Sequence, residues 1–307
     1  MTEDIVFRQK PTLKRPYLVV GFSGWLDGGQ ASTGTVSYLV RKLKAKQFAE
    51  IQASDFTVYQ IPGMTLLRPQ IEIENGIVKE VRFWQNEFFY WQNESSPQAH
   101  DLVLLVGTEP SLRWQRYTDN ILSLAKELAV ERVFSVGGVL DRVPHTREPI
   151  VSCTVTDAKL KDELSKLAVR FTDYDGPATF NSVLVNYCKV NGIEAIHMTG
   201  RATYYPEFDI TIPRNPKTIM AILKRLDKFL GTGVDLVELG VESEKLEQKL
   251  NSMLAENQQL QAYVRELERA YVEPKLEEEI EAPPEEFIKG VEDFLRDQRR
   301  EDKEDNQ

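Results

Sequence analysis

Residues 132–149 read RVFSVGGVLDRVPHTREP. The apolar run that opens this stretch is typical of a buried strand. Gly137 and Gly138 then predict a sharp exit from the strand, because glycine tolerates backbone angles that other residues avoid. Two prolines and several charged residues follow, which indicates a stiff, polar loop. Since α/β proteins place their ligand contacts on loops at strand ends, we expect residues 137–149 to mark a functional region.

Strands and helices alternate on both sides of this stretch. Apolar runs predict further strands over 17–21, 48–59, 102–106, 150–155 and 193–199. Helical periodicity predicts helices over 31–43, 112–128, 157–169, 179–190 and 216–230. This alternation predicts an α/β fold with three layers, in which helices cover both faces of a mixed sheet. Asn75-Gly76 separates two alternating runs, 71–74 and 77–83, and predicts a hairpin whose strands would make the sheet mixed.

The pattern changes after Gly233. Seven apolar residues recur at spacings of three and four, interrupted at Asn257: Leu246, Leu250, Met253, Leu260, Val264, Leu267 and Tyr271. This spacing predicts one long helix over 236–272, which would either form a coiled coil with Asn257 as its polar core residue or fold back on its own domain. We therefore divide the chain into an α/β core domain over 1–235, this helix, and an acidic, largely disordered tail over 273–307.

Composition and charge exclude several classes of protein. The net charge is −10, but residues 273–307 hold fourteen Asp and Glu against six Lys and Arg, so the rest of the chain carries only −2. A nearly neutral body lacks the basic face that nucleic acid requires. The N-terminus shows no signal-peptide pattern, and the apolar runs are far shorter than the ~20 residues of a membrane helix. Two cysteines without metal-ligand spacing complete the expectation of a cytoplasmic protein with no metal and no cofactor.

The loop over residues 21–29, GFSGWLDGG, follows the first predicted strand and precedes a helix. Backbone amides at a helix start attract anions, so the loop could bind a ligand through Gly24, Trp25, Asp27 and Gly28. Gly138 and Arg147, from the stretch quoted above, would complete this ligand-binding set. It matches neither of the two phosphate-binding glycine motifs, and the nucleophile elbow fails because Trp25 stands where the second glycine should be. The alternative is a tight turn in which Asp27 caps the helix.

His145 is the most suggestive candidate for catalysis. It lies in the loop after Gly138 with Asp141 four residues before it, and an Asp–His pair can act as a base with its orienting group. Asp141 could equally form an ion pair with Arg147 and hold the loop together. Glu109, in the strand-to-helix loop 107–114, could face the same cleft or stabilise a helix start.

Four motifs together resemble the proteasome assembly chaperone family in its prokaryotic branch. They are GFSGWLDGG over 21–29, GTEPSLRW over 107–114, GGVLDRVPHTR over 137–147 and YDGP over 174–177. The resemblance spans roughly residues 15–272. It implies a nucleoside-phosphorylase-like α/β/α fold and homo-oligomers; the eukaryotic and archaeal relatives are associated with proteasome assembly. The hydrophobic-Tyr-any C-terminus by which some relatives dock is replaced by Asp305-Asn306-Gln307, so docking through the tail is not expected.

Two functions remain open from the sequence. The first is a non-enzymatic scaffold or assembly factor that forms a homo-oligomer, such as a trimer, and binds protein clients but neither nucleic acid nor membrane. The alternative is a hydrolase, a phosphorylase or a small-anion binder at the strand ends. In that version the amides of Gly24 and Gly28 hold an anion that Arg147 supports, while His145 moves protons with Asp141 or Glu109. Both depend on the four motifs meeting at one rim of the sheet.

Overall fold

Eleven strands and seven α-helices are present in the computed structural model, which describes residues 4–59, 69–83, 85–171 and 173–272. The strands are β1 (Ile5–Phe7), β2 (Tyr17–Ser23), β3 (Lys46–Ile51), β4 (Gln70–Glu74), β5 (Ile77–Arg82), β6 (Asn86–Trp91), β7 (Leu102–Thr108), β8 (Arg132–Asp141), β9 (Val151–Val155), β10 (Arg170–Phe171) and β11 (Glu194–Thr203). The helices are α1 (Ala31–Lys42), α2 (Trp114–Glu127), α3 (Lys159–Ser165), α4 (Phe180–Val190), α5 (Pro216–Leu230), α6 (Val237–Glu256) and α7 (Gln258–Ala270).

The main sheet is mixed and contains nine of the described strands in the order β1-β3-β6-β7-β2-β8-β11-β9-β10. Its centre, β7-β2-β8-β11, is parallel. Antiparallel pairs flank that centre, with β6 on β7 at one side and β9 on β11 at the other. The carboxyl ends of four neighbouring strands therefore lie along one edge of the sheet.

Helices cover both faces of this sheet, which confirms the three-layer α/β/α prediction. Alternate residues of β2 point to opposite faces, as strand geometry requires. Leu18 and Val20 pack with residues of α2 and α4, whereas Val19 packs with α1 and α5. No helix among the described residues is long and apolar enough to cross a membrane.

The exit predicted at Gly137 and Gly138 is wrong, because β8 runs through both glycines to Asp141. Their small size serves packing instead of turning. A Cβ on Gly138 would lie 2.5 Å from the Cβ of Ala31 and 2.6 Å from the carbonyl oxygen of Gly28. Helix α1 and the turn before it can thus lie directly on the strand.

The hairpin forms at Asn75-Gly76 as predicted, but it does not belong to the main sheet. Strands β4 and β5 make a separate two-stranded sheet. The main sheet is mixed because β1, β3, β6 and β9 pair antiparallel.

The single helix predicted over 236–272 is two helices that meet at Asn257. That residue has extended backbone angles (φ −134°, ψ 101°), and its side chain accepts hydrogen bonds from the amides of Gln259 and Leu260, both at 3.0 Å. Asn257 therefore caps α7. Apolar residues of both helices pack on the same chain, in a cluster with Tyr205 and Ile212. The sheet, α6 and α7 lie in one compact unit, and the predicted tail falls outside the described residues.

Candidate functional site

The carboxyl ends of the central parallel strands form the rim of the sheet. Ser23 at the end of β2 pairs with Thr108 at the end of β7, and Asp141 at the end of β8 pairs with Thr203 at the end of β11. The loops that follow β2, β7 and β8 consequently leave the sheet side by side. We use "rim" for the loops over 24–29, 109–113 and 142–149, together with residues 173–179, which lead into α4.

Glu109 joins three of these loops. Its carboxylate accepts hydrogen bonds from the backbone amide of Trp25 at 2.8 Å and from the amide of Phe180, the first residue of α4, at 3.4 Å. Gly24 must be glycine there, because it has a positive φ of 144° and a Cβ would lie 2.7 Å from Glu109. Glu109 thus occupies the start of α4, where a helix dipole favours negative charge.

Asp27 fills the start of α1 in the same way and confirms the capping interpretation. It accepts hydrogen bonds from the amides of Ser32 and Thr33 at 2.9 and 3.0 Å and from the Thr33 hydroxyl at 2.7 Å. Desolvation raises the pKa of Asp27 to about 6, and the three hydrogen bonds oppose that rise. The helix terminus that could have bound an external anion therefore already holds a carboxylate of the chain.

Gly28, in the turn before α1, and Gly138, in β8, were both predicted to bind a ligand, and in the structure the turn packs against the strand at these two residues. A Cβ on Gly28 would lie 2.7 Å from the backbone nitrogen of Leu140. The amide of Gly138 donates to the carbonyl of Leu26 at 2.8 Å. Close packing between the turn and β8 therefore accounts for glycine at both positions.

His145 is buried, and its partners differ from those predicted. Its Nδ1 lies 2.8 Å from the Tyr205 hydroxyl, and its Nε2 lies 3.1 Å from Oδ1 of Asn251 in α6. Both ring nitrogens therefore have a hydrogen-bond partner within the chain. Burial lowers the pKa of His145, although the Asn251 hydrogen bond opposes this shift.

The Asp–His pair proposed from the sequence is not formed. Asp141 makes an ion pair with Arg201 at 2.8 Å, so it neither orients His145 nor pairs with Arg147, which is exposed. The cavity beside His145 has a volume of about 10 Å³. That is room for a single water molecule at most. Within the part of the chain that the structure describes, no three His, Cys, Asp or Glu side chains come together as a metal site.

The C-terminal helices hold the loop around His145 closed. Thr146 donates to Glu268 of α7, and the Tyr271 hydroxyl donates to the carbonyl of Glu148 at 2.6 Å. Lys217 of α5 donates to the carbonyl of His145 at 2.7 Å. Through these contacts the loop after β8 links the sheet to the C-terminal helices.

Two aromatic side chains of the rim are exposed to solvent. Trp25 is 82% exposed and Tyr174 is 75% exposed. Leu140, on β8 beside Gly28, is exposed as well. The sequence predicts Trp25 as a ligand contact but gives Tyr174 no role, although an aromatic residue in a loop of glycines and polar residues has no core to enter.

The protein is a three-layer α/β/α protein with a mixed sheet, and its strand-end loops are held by hydrogen bonds within the chain. The PAC2 family model matches residues 21–254, and the chain belongs to the PAC2 family. This membership confirms the resemblance drawn from the four motifs.

Solved structures agree with the family assignment. A PAC2 family protein from Streptomyces avermitilis is 30% identical with a TM-score of 0.68, and the match covers 81% of this chain and 99% of that one. A proteasome-assembly chaperone homologue from Mycobacterium tuberculosis is 28% identical with a TM-score of 0.70 over the same shares of the two chains. PbaB of Pyrococcus furiosus, an archaeal proteasome activator, shares the fold at 20% identity and a TM-score of 0.62, covering 81% of this chain and 97% of its own. No curated protein matches the sequence.

Proposed function

We propose that this protein is a non-enzymatic, self-associating scaffold of the assembly-chaperone type, which binds protein partners at the rim. Membership of the PAC2 family supports this, as does the similarity to a proteasome-assembly chaperone homologue. Two free, buried cysteines, Cys153 and Cys188, suit a reducing cytoplasmic compartment.

The observation that carries the proposal is the exposed indole of Trp25 on a fixed backbone. The hydrogen bond from its amide to Glu109 and the short 21–29 turn hold this residue in place. A large side chain presented from an ordered backbone loses little conformational freedom on binding. Trp and Tyr are also the residues that most often dominate protein–protein contacts. Trp25, Leu140 and Tyr174 therefore have the properties of a docking surface for a protein.

The geometry favours an enzyme less. The carboxylates of Asp27 and Glu109 bind backbone amides of the chain, and the His145 ring is enclosed with space for about one water. A general base must reach the proton that it removes, and this imidazole faces Tyr205 and Asn251 on its two nitrogens.

Site-specific photo-cross-linking tests the docking surface. A photoreactive amino acid replaces Trp25 in one variant and Val190 in the other, and both are expressed in the source cells. Val190 is a matched control because it is 78% exposed but ends α4, at the opposite end of that helix from the rim. We expect a discrete protein adduct from position 25 that Tyr174→Ala and Leu140→Ser weaken, and none from position 190. Equal labelling at both positions, or no adduct at position 25, would reject the rim as a docking surface.

A further inference from the structure

The β4–β5 hairpin stands apart from the rest of the molecule. All eleven of its strand residues are exposed, and the two strands pair only with each other. The hairpin is inserted between β3 and β6, where Ile51 pairs with Asn86. Asn86 accepts a hydrogen bond from the amide of Thr108 at 2.7 Å, so the hairpin leaves the body at the same edge as the rim.

The two faces of the hairpin have opposite character. Ile71 pairs with Val81, and Ile73 pairs with Val78, so these four apolar side chains share one face. The register shift after Glu72 is what brings Val78 onto that face, since Val78 and Val81 are an odd number of residues apart. We call this set, with the adjacent exposed Phe83, the apolar face.

The other face is charged. Arg82 makes ion pairs with Glu72 and, at 2.9 Å, with Glu80. Ile77 lies opposite Glu74 on this face and is 64% exposed. The charges of the hairpin are thus paired with one another within the hairpin and leave the apolar face without an ionisable group.

An isolated two-stranded hairpin is at best marginally stable in water, and it needs more strands or another packed surface. The apolar face contains five large side chains that are each about half exposed, a patch on the order of 500 Å². Phe83 contacts the Tyr59 ring, at 5.9 Å between centroids, yet all five side chains of the face remain about half exposed. The face therefore still requires a packed surface. A partner that is always present together with the protein would best supply this packed surface.

We infer that the apolar face packs against the same face of a second copy of this chain. Two such patches would bury about 1,000 Å² together, which is the lower limit for a specific protein interface. The contact would convert two marginal hairpins into a four-stranded sandwich with a shared apolar interior. This contact brings no like charges together, because the ionisable side chains lie on the outer face of each hairpin. The inference rests on the self-association in the proposed function and assigns a surface to it.

Light scattering after size exclusion tests the inference on the full chain with a matched pair of variants. Ile73→Lys places a charge on the apolar face, and Ile77→Lys places the same charge on the opposite face of the same hairpin. We expect the wild type and Ile77→Lys to have a mass of more than one chain at micromolar concentration. Ile73→Lys should raise the dissociation constant at least tenfold, with an unchanged far-UV spectrum.

Cysteine cross-linking adds an independent measurement of the same contact. Ile73→Cys and Ile77→Cys are treated with a bismaleimide that spans about 10 Å, the separation of packed sheets. The two native thiols should not react with the maleimide, since Cys153 and Cys188 are buried and burial raises the pKa of each to about 12. We expect a cross-linked dimer from position 73 and only a trace from position 77.

The other outcomes separate the two proposals. A wild type with the mass of one chain would overturn both self-association and the hairpin contact. A wild-type oligomer whose mass survives Ile73→Lys would leave self-association intact and reject the hairpin. Loss of mass in both lysine variants, or equal cross-linking at both positions, would also reject the apolar face. Failure of the Trp25 photo-cross-link would remove the docking surface without affecting the hairpin.

Discussion

Gly138 lies inside a strand, at a place where helix α1 approaches the backbone too closely for any side chain. The nearest atoms to a Cβ there are the Cβ of Ala31 and the backbone oxygen of Gly28. Neither is the end of a flexible side chain, so the collision could be relieved only by moving the helix or the turn. The contact matters for the rim because the same turn carries Trp25 and Asp27.

Gly138→Ala should therefore lower the free energy of unfolding by about 2 kcal/mol, within the range for overpacked cores. Gly240→Ala is the control, since Gly240 lies in α6 and a Cβ there would have no neighbouring atom within 4 Å. Alanine is the better helix former, so this change should raise the free energy of unfolding by up to about 1 kcal/mol. Urea unfolding measures the free energy of unfolding of both variants. A Gly138→Ala protein as stable as the wild type would contradict the close packing.

At the scale of a secondary-structure element, Asn257 decides how the C-terminal segment folds. The apolar spacing on either side of it continues as if a single helix ran through. Yet its side chain accepts from two amides that have no partner at the start of α7, and its own backbone is extended. Ser, Thr, Asp and Asn favour this cap because a short polar side chain reaches those amides.

Asn257→Ala should cost about 1 kcal/mol of stability, as loss of a helix cap does. Asn257→Asp should keep most of the stability that the cap contributes, because a carboxylate accepts the same hydrogen bonds. Far-UV circular dichroism during urea unfolding gives both values. The coiled-coil interpretation makes the opposite prediction, since removal of a polar residue from an apolar seam is stabilising; a gain in stability for Asn257→Ala would support it.

At the scale of the whole molecule, α6 and α7 pack on the segment that follows β11 and on each other. Leu250, Leu260 and Val264 are buried with Tyr205 and Ile212. Tyr205 in turn hydrogen-bonds His145, so the two helices, the segment after β11 and the rim loop are joined by direct contacts. A core of this kind should unfold together with the sheet.

Leu250→Ala should reduce the free energy of unfolding by about 2–5 kcal/mol, the usual cost of truncating a buried leucine. We expect one transition, with tryptophan fluorescence and circular dichroism changing at the same urea concentration. Lys249→Ala, at an exposed neighbouring position of α6, should change little. An early transition that leaves the midpoint of the sheet unchanged would show that residues 236–272 fold as a separate domain.

Much of the architecture could be predicted from local pattern. The central strands, the helices on both faces and the Asn75-Gly76 hairpin all follow from apolar periodicity and turn chemistry, which act over a few residues. The helix predicted over 216–230 matches α5 (Pro216–Leu230), where Asn215 provides the cap and Pro216 the first residue. The glycines after Val136 were misinterpreted because a glycine needed for close packing has the same local signature as one needed for a turn.

The roles of the polar rim residues could not be predicted in this way. Glu109 binds an amide 71 residues further along the chain, and His145 binds Asn251, 106 residues away. A carboxylate or an imidazole in a glycine-rich loop is compatible with catalysis, capping or support. The choice among them depends on which distant group lies within about 3 Å, the length of a hydrogen bond.

The sequence by itself determined where the central strands and most of the helices lie, because apolar periodicity is a local property. Only the tertiary structure decided that Asp27, Glu109 and His145 are held by partners within the chain, while Trp25 and the apolar face of the hairpin are left exposed. Those outcomes depend on contacts between segments far apart in sequence, and burial and hydrogen bonding are settled only when the segments meet.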